Sequence, residues 1–197
     1  MSSNANFGLL LVLSGPSGVG KTTIAHQLLD RFDGVFSVSA TTRPKGAGEQ
    51  DGVDYLFVSS EQFAAMQSDG QFLESAEVFG KHAYGTPRDP VEAQLAAGRL
   101  VILDIDVQGA KQVRASMPDA FMLFILPPSD EELRRRLEAR GRDDAEAIER
   151  RFAEAQHEIE LATTQDLYDA FVINESLDAT VEETGRLVEA RRAASTT

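Results

Sequence analysis

Gly15-Pro16-Ser17-Gly18-Val19-Gly20-Lys21-Thr22 fills every fixed position of a phosphate-binding loop, G-x-x-x-x-G-K-[ST], and its flanks supply the context such a loop requires. The apolar run Leu9-Leu10-Leu11-Val12-Leu13 before it reads as a strand buried in a parallel sheet, and Ile24, Leu28 and Leu29 after it mark a helix. The glycines let successive backbone N–H groups turn toward an anion. The helix start adds the positive end of its dipole, Lys21 a mobile cation, and Thr22 a hydroxyl placed to hold Mg²⁺. A glycine-rich turn with only a structural purpose needs positive φ but has no use for Lys-Thr at the helix start.

Outward from the loop, the chain alternates strands and helices with one interruption. Phe36 to Thr41 alternates as one half-exposed strand, 43–48 reads as a loop, and Tyr55 to Val58 as a second short strand. Ser59 or Ser60 caps a helix that Gly70 stops, and Phe72 to Val78 alternates as an exposed strand, so this segment reads as a small α+β insert. From Pro90 the rhythm returns: a helix through Leu95, the strand 100–103, a helix from Gln108 and the strand 121–126. Ser129-Asp130-Glu131-Glu132 starts a helix that runs to Gly141, and a long helix follows from about Asp143. Phe171 to Ile173 is a last strand, Asp178 to Ala193 a last helix, and 193–197 a frayed tail. Continuous apolar strands separated by helices predict an α/β fold with a parallel sheet covered on both faces.

A length of 197 residues suits one core carrying one or two small inserts. The net charge of −13 argues against a nucleic-acid polymer as partner, because no basic stripe could outweigh it over many phosphates, while a small anion remains possible beside local cations and Mg²⁺. The chain has no cysteine, which excludes disulfides and thiolate chemistry and fits a reducing cytoplasm. His26, His82 and His157 are scattered without ligand spacing, so a structural zinc site is not expected. Met1 to Asn6 lacks a basic region and the apolar run after it has only strand length, so neither a signal peptide nor a membrane span is expected. No face is identifiably self-complementary, which leaves monomer and homo-oligomer equally open.

Asp104 and Asp106 stand at the C-terminal end of a buried strand, where parallel α/β sheets bind ligands. Asp104 is placed to organise Mg²⁺ opposite Thr22; alternatively both aspartates form a strand-end turn and a helix cap. Arginines concentrate at 134–136, 140, 142, 150 and 151. Arg136 and Arg140 are four apart and share a helix face, so a lid carrying them could neutralise a phosphoryl group in transfer. The pairs Glu132–Arg136, Glu138–Arg142 and Glu146–Arg150 equally fit a solvated helix laced with i,i+4 contacts.

Several further motifs together resemble the bacterial guanylate kinases, and the resemblance covers nearly the whole chain. Ser39-Ala40-Thr41-Thr42-Arg43, Gly48-Glu49 and Asp51-Gly52-Val53-Asp54-Tyr55 are similar to the family's GMP-binding signature, as are Phe72-Leu73-Glu74 and Tyr84-Gly85-Thr86. Leu103 to Gly109, Ile125 to Ser129 and Arg136 to Gly141 resemble its strand-end, pre-lid and lid motifs. The resemblance implies a P-loop NTPase core (1–38, 91–133 and 153–197), a GMP-binding region (39–90) and a helical lid (134–152). It implies transfer of the ATP γ-phosphate to GMP or dGMP with Mg²⁺, in purine nucleotide metabolism. Gly15, Pro16, Ser17, Gly18, Val19, Gly20, Lys21, Thr22, Thr23 and Asn174 would hold ATP, with Thr22 and Asp104 on the metal. Ser39, Arg43, Lys45, Tyr55, Glu74, Tyr84, Thr86 and Asp106 would hold GMP; Lys21, Arg136, Arg140 and Arg151 would act in transfer.

The chemistry suits these residues. Guanine offers N1–H and an exocyclic amine side by side, so one carboxylate, that of Glu74, can accept both; adenine has no such pair. The acceptor phosphate is already ionised at neutral pH, so no general base is required. Two positions depart from the family pattern. Gly46 stands where a second arginine is usual, with Lys45 the nearest cation. The stretch Gly80-Lys81-His82-Ala83-Tyr84-Gly85 is one residue longer than the usual Gly-Asn-Tyr-Tyr-Gly, with Tyr84 aligned to its tyrosine and Lys81 available as a compensating cation. The competing readings are a kinase for another phosphorylated acceptor, against which Glu74 speaks, and a peptide-binding relative that has lost catalysis, against which the intact Gly20-Lys21-Thr22 speaks.

Overall fold

The computed structural model describes residues 8–78, 81–139 and 144–194. In chain order the elements are β1 (Leu9–Ser14), α1 (Lys21–Phe32), β2 (Val35–Phe36), β3 (Ala40–Thr41), β4 (Leu56–Phe57), α2 (Ser60–Ser68), β5 (Phe72–Val78), β6 (His82–Pro87), α3 (Arg88–Ala96) and β7 (Leu100–Asp104). They continue with α4 (Val107–Ser116), β8 (Phe121–Leu126), α5 (Asp130–Glu138), α6 (Ala145–Thr164), β9 (Ala170–Ile173) and α7 (Leu177–Ala194).

The first sheet has the order β2-β7-β1-β8-β9, and every pairing in it is parallel. β1 is its central strand and is buried along its whole length. Successive side chains of a strand point to opposite faces, and both faces are covered. Leu9, Leu11 and Leu13 pack with Ile24 and Leu28 of α1 and Val181 and Val188 of α7. Leu10 and Val12 pack with Val107, Ala110 and Val113 of α4 and Ala162 of α6. This is why β1 reads as an unbroken apolar run, and each such side chain contributes about 1.5–3 kcal/mol by leaving water.

The second sheet has the order β4-β3-β6-β5, with β3 and β4 parallel and the other pairs antiparallel. Its outer face carries α2, whose Phe63 stacks on Phe72 at 4.6 Å and, with Ala40, forms a small core of its own. Ser59 is the cap: its side chain accepts from Gln62 N–H and the Gln62 side chain accepts from Ser59 N–H, closing a capping box.

Three sequence expectations are corrected. The single strand from Phe36 to Thr41 is two pieces: β2 closes the edge of the first sheet on β7, and β3 joins the second sheet. The chain passes between sheets there, which alternation alone does not register. Residues 82–87, taken only as a ligand motif, form β6, the antiparallel partner of β5. β5 is exposed only toward its end, at Glu77: Phe72, Leu73 and Glu74 are buried, Phe72 against α2 and Leu73 against α4.

Candidate active site

The loop after β1 ends in Gly20, which caps α1 in the left-handed region at φ 96° and offers no side chain to the helix start. α2, α4, α5 and α6 each begin with a side-chain cap, from Ser59, Asp106, Ser129 and Asp144, whereas α1 has neither a side-chain cap nor a carboxylate in its first turn. Its first N–H groups and the positive end of its dipole are thereby kept for an anion. Ser17, Gly18, Gly20, Lys21, Thr22 and Thr23 line a shallow depression at this point. Lys21 Nζ donates to Gly15 O at 2.6 Å and Pro16 O at 3.4 Å and lies 3.9 Å from Asp104 Oδ1.

Parallel pairing sets Asp104 level with Leu13 at the end of β1, and Thr22 Oγ1 donates to Asp104 Oδ2 at 2.8 Å. A hydroxyl and a carboxylate together are hard oxygen donors of the kind Mg²⁺ takes. Among the described residues no three His, Asp or Glu side chains converge as a metal cage. This donor pair therefore suits an ion that completes its shell with phosphate and water oxygens. Asp106 caps α4, its Oδ1 accepting from Gly109 N–H at 2.8 Å.

Arg136 of α5 points back to the core: Nε donates to Glu132 Oε1 at 2.7 Å and Nη2 to Asn174 O at 3.0 Å. The i,i+4 pair read from the sequence forms, and the guanidinium also reaches the backbone after β9. Arg135 first, and Arg136 after it, hold the Glu132 carboxyl at about 2. Arg134 is not part of this set; it pairs with Glu149 of α6 and lies over Phe152. Arg151 lies half-buried on α6, seven residues before Glu158 and hence on the same face. Burial pushes Glu158 up while the charge of Lys21 opposes the shift, which places this face of α6 toward the loop. Arg140 and Gly141 lie outside the described residues.

The second pocket is built on the inner face of the second sheet. Register sets Thr86 opposite Glu74 and Tyr84 opposite both Ala76 and Thr41. Glu74 is 8% exposed, and Thr86 Oγ1 donates to its Oε1 at 2.6 Å. Burial, and then the charge of Asp106, push its carboxyl above the usual range, while Thr86 pulls the other way. Arg43 stands 5.3 Å over the Tyr55 ring, and the Tyr55 and Tyr84 rings are 6.0 Å apart, so the three converge. Ser39 continues β3, its carbonyl accepting from Leu56 N–H, and by the two-residue period it shares a face with Thr41. Lys45 is exposed, its charge felt by Glu49. Lys81 lines a cleft with Phe63 and Gln67 of α2 and with Ala83, on the other face of the sheet from Tyr84.

The comparisons with known proteins agree. A family model described as guanylate kinase matches residues 8–191. The chain belongs to the guanylate kinase family. A guanylate kinase of Synechococcus sp. strain CC9902 is 50% identical over 180 residues, which cover 91% of this chain and 94% of that one. One of Thermosynechococcus vestitus is 52% identical over 172 residues, covering 87% and 88%. The crystal structure of guanylate kinase from Anaplasma phagocytophilum superposes with a TM-score of 0.71 at 37% identity, over 95% of this chain and 87% of that one. A guanylate kinase transfers a phosphoryl group from ATP to GMP, and the parallel sheet and phosphate loop described above are those of its P-loop fold. Among the described residues no helix is long and apolar enough to cross a membrane.

Against the guanylate kinase pattern, two contacts were not legible in the sequence. Glu49 grips Arg43 bidentately, Nη1 to Oε2 at 3.0 Å and Nη2 to Oε1 at 2.7 Å, and also accepts Gly46 N–H at 2.6 Å. A Cβ at Gly46 would stand 2.9 Å from Glu49 Oε2, so the position that departs from the family is filled by this carboxylate. Arg43 and Glu49 appear together in the quoted motif, but nothing in their spacing says that one holds the other. The second contact is that of Asn174 with Thr180, six residues apart across the start of α7.

Proposed function

We propose that ATP lies on the loop Gly15 to Thr22 and GMP or dGMP lies opposite it on the second sheet, with transfer occurring in line between them. The observation that carries this reading is the buried Glu74 carboxylate, whose Oε1 is oriented by Thr86 and whose charge is opposed by that of Asp106. Two N–H donors from a guanine edge supply what burial withholds. Adenine lacks that pair and leaves the carboxylate desolvated and unpaired, a discrimination of about 10⁴ or more. Ser39 and Thr86 would complete the base edge, with Asp106 beside them.

Arg43, Tyr55 and Tyr84 would receive the GMP phosphate. Glu49 and Pro44 O occupy three of the five guanidinium hydrogens, so the edge carrying Nε and the second Nη2 hydrogen remains for a phosphate or for the Tyr84 hydroxyl. Lys45 would contribute only a point charge, without the fork of the arginine usual at Gly46.

At the donor end Gly15 to Gly20 would cradle the phosphates through N–H groups, Lys21 would contact the terminal ones, and Thr22 and Asp104 would hold Mg²⁺, partly through water. When bound, Mg²⁺ would supply positive charge against the phosphate oxygens. Lys21, Arg136 and Arg151, with Arg140, would align the nucleotides and offset charge in transfer, with about 10³–10⁵ typical of a phosphoryl-transfer arginine. No proton acceptor is needed. The chain divides on this reading into a core (1–38, 91–133, 153–197), a GMP-binding region (39–90) and a lid (134–152) whose limits fall inside α5 and α6. Free nucleotide substrates and the absence of cysteine fit a cytoplasmic site of action.

A coupled ADP-release assay across GMP, dGMP, AMP, CMP and UMP tests the assignment. Turnover confined to GMP and dGMP supports it, and equal rates with AMP would overturn the role given to Glu74.

A further inference from the structure

We infer that Asn174 and Thr180 are positioning residues for the phosphate loop, turning the peptide between Val19 and Gly20 so that its N–H faces the donor phosphates. This rests on the placement of ATP proposed above and names residues that act on it through the loop.

Asn174 follows β9 and is 6% exposed, and each of its four polar groups is engaged. Its backbone N–H donates to Leu126 O at 2.8 Å, and its carbonyl accepts from Arg136 Nη2 at 3.0 Å. Nδ2 donates to Val19 O at 2.7 Å, and Oδ1 accepts from Thr180 Oγ1 at 2.9 Å. The orientation of the amide follows from the partners: Val19 O is only an acceptor, so the NH₂ must face it and Oδ1 must face Thr180. Thr180, 1% exposed, has a single hydroxyl proton and two further acceptors, Ser176 O at 2.8 Å and the more distant Ile173 O at 3.5 Å. Ser176 O already receives Thr180 N–H at 3.0 Å, whereas buried Oδ1 has only the hydroxyl, so the proton belongs to Asn174.

A trans peptide is planar, with its C=O and N–H antiparallel. Drawing Val19 O outward to Asn174 therefore drives Gly20 N–H the opposite way, into the concavity of the loop. Gly20 is at φ 96° at the head of α1, and a Cβ there would stand 3.1 Å from Asn174 Nδ2, so the amide also closes the space behind the loop. Oδ1 and one of the two Nδ2 hydrogens of Asn174 are engaged with the protein, and through the Val19 carbonyl the residue acts on the loop. Thr180, which fixes the amide from the far side, separates that route from any contact of the second Nδ2 hydrogen. The same residue holds Arg136, tying the donor cradle to an arginine proposed for transfer.

The test measures ADP and GMP binding separately by calorimetry in the full chain, with Asn174→Asp, Thr180→Val, Thr180→Ser and, as reference, Lys21→Ala. Asn174→Asp keeps the shape and the Thr180 bond but sets oxygen against Val19 O. Loss of a buried bond of this kind should raise the ADP Kd about 10- to 100-fold. Thr180→Val should raise it about 3- to 10-fold, and Thr180→Ser, which keeps the hydroxyl, should restore wild-type binding. The GMP Kd should stay within about twofold throughout, a selectivity that a general loss of packing would not produce. If Asn174→Asp does not fold, the Thr180→Val and Thr180→Ser pair decides alone. An unchanged ADP Kd in Thr180→Val, or equal loss of ADP and GMP, overturns the inference while Lys21→Ala still weakens ADP. ADP binding indifferent to Lys21→Ala overturns the loop assignment and the inference with it.

Discussion

Lys21 Nζ is tethered to the loop's own carbonyls of Gly15 and Pro16 and has Asp104 at 3.9 Å, so its charge is held at the phosphate loop. Lys21→Ala should therefore lower kcat by about 10³-fold or more while leaving the GMP Kd within about twofold, read by steady-state kinetics and calorimetry. Weakened GMP binding with normal turnover would contradict the placement. Glu74 makes the opposite trade. Its carboxyl is raised by burial, so the stability it contributes is fully present below the unfolded pKa and is lost as pH rises through the folded one. At neutral pH the unliganded Glu74→Gln protein should be more stable to urea than wild type. Its preference for GMP over AMP should fall by about 10²-fold or more, since an amide cannot accept both guanine donors.

The β5–β6 hairpin and α5 each carry one group of the proposed site, and each has its own consequence. Register sets Thr86 against Glu74, and its hydroxyl pulls the carboxyl down against the effect of burial. If Glu74 receives guanine as proposed, GMP needs the ionised form, so its KM should rise on acidification, at higher pH than an ordinary glutamate would give. Thr86→Val should move that rise to higher pH still, as a pH profile of kcat/KM for GMP will show; an unmoved profile would mean that Thr86 does not tune Glu74. On α5, Arg135 and then Arg136 keep Glu132 at about 2, so its contribution is present above the ordinary carboxylate range and is lost only as pH falls through about 2. Glu132→Gln should release Arg136 Nε and lower kcat by about 3- to 10-fold at constant substrate KM, equally across neutral pH. A loss appearing only in KM would place Arg136 in ground-state binding instead.

The molecule as a whole sets two pockets on separate sheets, one with its core above and below β1, the other with a small core under α2. Ligand binding to either should stabilise the fold by about 2.7 kcal/mol at a concentration of 100 Kd. At about 2–4 °C per kcal/mol for a chain of this size, calorimetry should show each nucleotide raising Tm by roughly 5–10 °C. If the region 39–90 and the lid close on both nucleotides, ADP and GMP together should raise Tm by more than the sum of the two shifts. A strictly additive result would show that the pockets act independently. The net charge of −13 makes the placement of cations decisive at this level, because the anion-binding positions proposed for Lys21, Arg43 and Arg136 lie within an acidic chain.

By itself the sequence determined what depends on short range. The loop from Gly15 to Thr22, the apolar run of β1 and the caps at Ser59 and Ser129 were all legible, because phosphate cradles, buried strands and helix starts are local in the chain. Glu74 was legible through its motif. That it is buried, that Thr86 stands opposite it and that the second sheet places Tyr84 toward Arg43 and Lys81 on its other face came only from the pairing of β5 with β6. Tertiary structure likewise split 36–41 between two sheets, closed Glu49 on Arg43 and brought Asn174 beneath a loop 155 residues earlier. Such contacts carry no period or spacing in the sequence, since what selects them is the burial of polar groups that must find partners, wherever in the chain those partners lie.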